Sequence, residues 1–408
     1  MATSGEYSHF VGFHDINPWD DSERYLIVHR CIRDTVKTRT KNDYVEVCIW
    51  DTHTNEIQVI NRTNTWNYQQ GSRLQWIPGT RELLYNNRKE EQIICTIYNL
   101  DTKLIRELPV PVYSLSKDPA LAVTYNFARL GKYWKGYGYA DAAPASWSNI
   151  EDPIPKDDGL FLVNLHTGEK KLLISIHDVA IHRQDPNTAD RPRFFTHATF
   201  SPDGKRICFF ERFHSKEGGL YSRFFVINTD GTGLKLLGEG KQSHFDWFDD
   251  ERIMIWSRPS GSLVNKFHKN GLFAKPGFKQ LIKLVRKLRP GLKSKMTNEY
   301  YRIIGTTNGT QEQPIARNLI TEDGHPMFSK DKTWFVNDTY PKADHHQTLM
   351  LYHMPSARRI DLAELFVPEV FRDFDLKCDL HPRWNGSNQK ICVDSAHTGK
   401  RQVYIFDV

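Results

Sequence analysis

The chain has 408 residues, of which 39% are hydrophobic, 12% aromatic and 25% charged, a balance that supplies a sizeable core and excludes a disordered or coiled-coil chain. No run reaches the roughly 18 uncharged apolar residues of a membrane-spanning helix, and the opening Met-Ala-Thr-Ser-Gly-Glu-Tyr lacks the basic and apolar regions of an export signal. The formal net charge is +6, yet ten Lys or Arg and no acid lie between Ser262 and Thr297, so the remainder of the chain stands at −4.

The predicted elements follow an internal repeat, which governs the fold reading. In chain order it begins at His14 (HDINPWDDSERYLIVH), returns in weaker form at Arg73 (RLQWIPGTRELLYN) and Val112 (VYSLSKDPALAVTYN), and is clearest at His197 (HATFSPDGKRICFF). It recurs at His244 (HFDWFDDERIMIWS), His325 (HPMFSKDKTWFVND) and His381 (HPRWNGSNQKICVDS). Each unit reads as a short opening strand, a polar turn and an apolar second strand. A third and usually a fourth strand follow across hairpin turns, as in VEVCIWDTHTNEIQVI and RFFVINTDGTGLKLLG. Seven such units predict an all-β fold, a seven-bladed β-propeller that takes in residues 1–408 as one domain. The last unit stops after RQVYIFDV, leaving a fourth-strand place for residues near Tyr7 to Phe13 to close the ring.

Three stretches exceed a minimal blade, at about 130–158, 176–196 and 259–297. The first and third are second-to-third-strand loops and the middle one links blades, which puts all three on the face where the inner strands begin. The six cysteines are scattered through apolar runs without a CxxC pair. They read as reduced core thiols of a cytoplasmic protein.

The repeat frame sets His14, Arg73, Val112, His197, His244, His325 and His381 around the mouth of the central channel. Converging imidazoles suit a divalent cation such as manganese, zinc or calcium. A direct anion site and a purely structural capping role are the alternatives. The second strands return to the same face, where five blades deliver an arginine: Arg30, Arg88, Arg129, Arg212 and Arg258. Guanidinium forks match carboxylates, so Arg73, Arg88, Arg212 and Arg258, with Asn86 at another strand end, are candidate contacts for an acidic glycan. Trp66, Tyr68, Gln70, Tyr133, Trp134, Tyr137, Tyr139 and Trp147 add aromatic and amide groups suited to sugar rings.

Several segments carry a family resemblance: WNYQQGSRLQW (66–76), YNFARLGKYWKGYGYA (125–140), THATFSPDGKRICFF (196–210), SHFDW (243–247), DGHPMFSKDKTWFVNDTYP (323–341) and DLHPRWNGSNQKICVDS (379–395). Together they resemble the seven-bladed-propeller polysaccharide lyases, a group with oligogalacturonate, ulvan and rhamnosyl-glucuronate lyases and relatives from surface-polysaccharide gene clusters. The resemblance implies β-elimination at a uronate. By the oligogalacturonate lyase pattern it implies His197 as base and His244, His325 and His381 as manganese ligands. By the ulvan lyase pattern it implies Tyr137 or Tyr139 with Arg129 as the neutralising cation. Blade 2 departs from the pattern, with Arg73 and Gln75 where a histidine would be expected.

Within the basic insertion of blade 5, Phe278, Leu281, Ile282, Val285 and Leu288 recur at helical spacing opposite Lys279, Lys283, Arg286 and Lys287, between Pro276-Gly277 and Pro290-Gly291. Residues 276–290 thus read as a basic amphipathic helix for an anionic membrane surface, peripheral at the inner membrane. A lid over a polyanionic glycan is the alternative, and no nucleic acid is expected because the rest of the chain is acidic. The combined reading is a carbohydrate-active propeller acting on a uronic-acid-containing oligo- or polysaccharide, with a glycoside hydrolase or a non-catalytic glycan-binding scaffold as the alternatives.

Overall fold

The computed structural model describes residues 1–32, 37–139, 141, 149–182, 188, 190–214, 219–259, 298–307 and 309–408. Seven antiparallel sheets follow one another in chain order, six of four strands and the last of three. The fold is a seven-bladed β-propeller. Blade 1 runs from Ser8–Phe10 through Tyr25–Cys31 and Val45–Asp51 to Glu56–Thr63. The inner strands of the next five blades are Gln75–Trp76, Ser114–Leu115, Phe194–Phe200, Gln242–Trp247 and Met327–Phe328. Blade 7 consists of Arg383–Trp384, Lys390–Ser395 and Gln402–Asp407. Six repeat units open a blade, and the unit at His14 follows Ser8–Phe10 and supplies the turn and second strand of blade 1.

The second and third strands are buried on both faces, which is why their sequences are almost continuously apolar. Phe224, Val226, Phe245, Ile253 and Ile255 join blades 4 and 5, and Val336, Leu349, Ile391 and Val393 join blades 6 and 7. Leu26, Val28, Cys48 and Trp50 of blade 1 meet Cys392, Val403 and Ile405 of blade 7, which closes the ring. The closing segment lies earlier than the sequence predicted. Thr3 N–H donates to Val403 O at 3.0 Å and Ile405 N–H to Met1 O at 2.7 Å, so residues 1–3 take the fourth-strand place. Ser8–Phe10, within the predicted Tyr7 to Phe13, instead pairs with the second strand of blade 1.

A bulge marks the start of the inner strand in blades 4 and 5. In blade 4 the pairing steps from Thr196 to Thr199 while the partner steps only from Phe210 to Cys208, leaving His197 in the bulge. Blade 5 repeats this between Gln242 and Phe245, around His244. Arg73, His197 and His381 hold the same position with φ of 57°, 57° and 44°, a left-handed conformation that costs a non-glycine residue about 1 kcal/mol. Such a bulge turns its side chain out of the sheet's alternation and toward the axis.

At other blades the start of the inner strand is held by the polar end of a second strand. The Asn86 amide donates to Val112 O at 3.0 Å and accepts from Val112 N–H at 2.8 Å. Asp338 accepts from the His325 and His381 N–H groups at 2.7 and 3.2 Å, and Asp394 from Val11 and Gly12 at 2.8 and 3.2 Å. His29 Nε2 takes the Ser72 N–H at 3.1 Å. The Asn86, Asp338 and Asp394 braces and the His29 brace each reach into the blade that follows.

The insertions at 130–158 and 176–196 occupy the predicted connections and carry short helices, Phe127–Tyr133 and Ile176–His182. The third insertion, including the predicted helix 276–290, lies outside the described residues beyond Pro259. Among the described residues no helix is long and apolar enough to cross a membrane. All six cysteines are buried, without a disulfide.

Burial pulls the His29 imidazole down to about 4 from 6.5. Between those values the unfolded chain binds the proton and the folded one does not, so stability that is complete above 6.5 is lost as the pH falls toward 4. Urea melts should show this loss between pH 6.5 and 4.5, and His29→Gln should flatten it by about 1.4 kcal/mol per pH unit.

Candidate functional site

Five of the seven ring positions are histidines, and the ring of blades brings all five together. The ring centroids of His244 and His325 are 4.3 Å apart and those of His325 and His381 4.4 Å. His14 lies 5.4 Å from His244 and from His325, 5.9 Å from His381 and 6.2 Å from His197. Burial and neighbouring positive groups hold His14, His197, His325 and His381 well below the ordinary imidazole value, so these rings are neutral at neutral pH. A cavity of about 210 Å³ runs beneath them, lined in part by His14, His197, Thr199 and Asp246.

Hydrogen bonds fix the tautomers on one side of the ring. His325 Nδ1 donates to Asp338 at 2.9 Å, His381 Nδ1 to Gly12 O at 2.6 Å and His244 Nδ1 to Asp323 at 3.1 Å. A carboxylate or carbonyl accepts from these nitrogens, so the neutral rings of His325 and His381 keep their lone pairs at Nε2. Acceptors of this kind behind imidazoles are the usual support of metal-binding histidines. Donor atoms of His325, Asp379 and His381 lie within 4.8 Å of one another. His381 Nε2 and Asp379 Oδ1 are buried without a hydrogen-bond partner, as is His14 Nε2. Two neutral imidazoles and a carboxylate with unused lone pairs fit a divalent cation. His244 stands beside them, its Nε2 3.4 Å from the Tyr340 hydroxyl. Sequence reasoning placed all three histidines and missed Asp379 and Tyr340. The available signal was an acid two residues before the blade-opening histidine, in Asp323-Gly-His325 and Asp379-Leu-His381.

On the opposite side His197 stands beside Arg212. The Thr196 hydroxyl meets His197 Nδ1, and Trp134 stacks on the imidazole at 6.1 Å. The Arg212 guanidinium lies over the rings of Phe210 and Trp134 at 4.4 and 4.6 Å. Burial lowers it to about 10, and it makes no side-chain hydrogen bond or ion pair among the described residues. Tyr137 stacks on Trp134 at 3.9 Å and is kept protonated by burial and by Asp379.

The other rim arginines are committed. Arg30 pairs with Glu46 at 2.6 Å, Arg88 with Asp141 at 3.4 Å and Arg258 with Glu299 at 2.5 Å. Arg129 corrects the expectation of a neutralising cation: it is 1% exposed, and its guanidinium donates to Arg193 O at 2.6 Å, Asp152 O at 2.7 Å and Pro153 O at 3.0 Å, pinning the blade 3 insertion. Tyr139 is also corrected, since it stacks on Phe127 at 4.8 Å inside the core with its hydroxyl on Asn86. Among the expected substrate contacts, Arg73 is fully buried and bidentate on Asp15 at 2.8 and 3.0 Å. Asn86 is a brace, Gln70 accepts from Gly138 N–H at 2.9 Å, and Trp66 is buried with its indole on Asp43 O. These four hold loops and blades and do not face a ligand. Trp147 lies outside the described residues.

Among solved structures the chain resembles an oligogalacturonate lyase in complex with manganese, at 14% identity over 98% of this chain and 90% of that one, with a TM-score of 0.63. The oligogalacturonate lyase of Vibrio parahaemolyticus matches at 13% identity over 99% and 91%, with a TM-score of 0.62. The β-propeller domain of the Trilobed protease from Pyrococcus furiosus matches at 10% identity over 98% and 95%, with a TM-score of 0.50. At these identities the likeness is one of fold. No protein-family model and no curated protein matches the chain.

Calorimetric titration with manganese or zinc chloride should give one saturable site, weakened about 10- to 100-fold or more by His381→Ala and by Asp379→Asn. Heat unchanged by both substitutions would count against this ligand set.

Proposed function

We propose that the protein cleaves a uronic-acid-containing oligo- or polysaccharide by β-elimination. The observation that carries this reading is a buried guanidinium, Arg212, that has no counter-ion among the described residues, beside the neutral imidazole of His197. A buried cation of this kind calls for an anion, and a planar carboxylate matches its fork. Trp134 and Tyr137 form an aromatic wall next to it, suited to the apolar face of a pyranose.

In this reading Arg212 binds the uronate carboxylate and so acidifies the adjacent C5–H. His197 takes the C5 proton at its Nε2, the C4–C5 double bond forms, and the C4–O bond breaks with its electrons on the leaving oxygen. Tyr137 and Tyr340 are both kept protonated by burial, and one of them supplies the proton to that oxygen. When bound by His325, Asp379 and His381, a divalent cation adds positive charge to stabilise the developing enolate. The fold shared with a manganese-bound oligogalacturonate lyase supports the reading. Three of the cleft carboxylates are committed and not free for the acid and base work of a hydrolase. Asp338 is taken by His325, Asp323 by His244 and Asp379 by a lysine, Lys377.

Incubation with galacturonate- and glucuronate-containing oligosaccharides should yield products with the ultraviolet absorbance of an unsaturated uronate. Arg212→Met should lower kcat/KM by about 100-fold or more, and His197→Ala should abolish cleavage while leaving binding. Tight binding by the unmodified protein with no cleavage across the panel would make it a glycan-binding propeller.

A further inference from the structure

Lys377 lies in the link between blades 6 and 7, next to the candidate metal ligands and absent from the sequence-based site. Its ammonium is 2.8 Å from Asp379 Oδ2 and 3.8 Å above the centre of the Tyr340 ring. The backbone beneath it is pinned, because Lys377 O accepts from Gln69 Nε2 at 2.9 Å and from the Arg401 guanidinium at 3.0 Å. Its side chain is only 22% exposed. The lysine is therefore aimed at Asp379 by the fold and not drawn there from solvent.

We propose that Lys377 and a divalent cation compete for Asp379, so that Lys377 is the resident cation of this site and sets its metal affinity. The inference rests on the metal centre described above. A metal ion arriving between His325, Asp379 and His381 meets a positive charge already bonded to one of its ligands. It either displaces the ammonium, which keeps its place over the Tyr340 ring, or binds at the unused Asp379 Oδ1 against its repulsion. Both routes weaken binding compared with the same ligands without the lysine. Lys377 also acts on the two imidazoles, adding to the charges that disfavour their protonated forms. With the lysine in place, the centre carries a positive charge beside the cleft even when no metal is bound.

The test is calorimetric titration of the full-length protein, Lys377→Met and Lys377→Arg with manganese chloride and with zinc chloride, with melts to verify folding. Methionine keeps the packing over Tyr340 and removes the charge, so Lys377→Met should bind metal about tenfold tighter or more. Lys377→Arg keeps the charge and should remain within about threefold of the unmodified protein. Equal or weaker binding by Lys377→Met, in a protein whose metal heat is lost on His381→Ala, overturns the competition and leaves the metal centre standing. Absence of metal heat in all three proteins overturns the centre and the competition together.

Discussion

The site depends on a brace that recurs between blades: a buried polar group at the end of one second strand, hydrogen-bonded to the backbone at the start of the following blade. Asn86 does this for Val112, Asp338 for His381, and Asp394 for Val11 and Gly12. A bulge alone is soft, and a left-handed residue at its tip is strained. Fixing its backbone N–H groups with carboxylates and amides overcomes that strain and sets where the next side chain points. Leaving one of these buried N–H groups unpaired would cost about 1–3 kcal/mol, comparable with the strain itself. The placing of His381, and of His14 two residues after Gly12, thus follows from how neighbouring blades are tied together.

The electrostatics follow from that packing. Five imidazoles this close cannot all be charged, and burial reinforces the neutral state of His14, His197, His325 and His381. His325 and His381, with acceptors behind Nδ1, offer lone pairs at Nε2 toward a cation. The fixed positive charge is supplied instead by Arg212 and Lys377, one without a counter-ion among the described residues and one spanning a carboxylate and an aromatic ring. Between them runs the aromatic wall of Trp134 and Tyr137. A cleft with two cations, neutral bases and a stacking surface has the chemistry of an acidic sugar site.

The repeat made the fold legible, because each blade must reuse the same turn and strand pattern to fill the same place in a closed ring. The ring histidines were legible for the same reason: one position in each repeat becomes one position on the axis. Side-chain partners were not. Five rim arginines look alike in sequence, but a glutamate across a strand or an aspartate in a loop occupies three of them, and carbonyls of the insertion occupy Arg129. Only three-dimensional pairing distinguishes Arg212 from these. Tyr137 and Tyr139 likewise differ by two residues and point to opposite environments, one to the cleft and one against Phe127. Asp379 and Lys377 were missed because they lie before the repeat unit, in a link whose path no periodicity predicts.

The account's central claim is that one cleft binds a uronate carboxylate at Arg212 with a divalent cation at His325, Asp379 and His381. The most direct measurement is a crystal structure of the His197→Ala protein with manganese and a uronate disaccharide, with data collected at the manganese absorption edge. The account predicts an anomalous peak bounded by His325, Asp379 and His381, and a sugar carboxylate within hydrogen-bond reach of Arg212. A disaccharide bound elsewhere, with Arg212 contacting only protein, would contradict it.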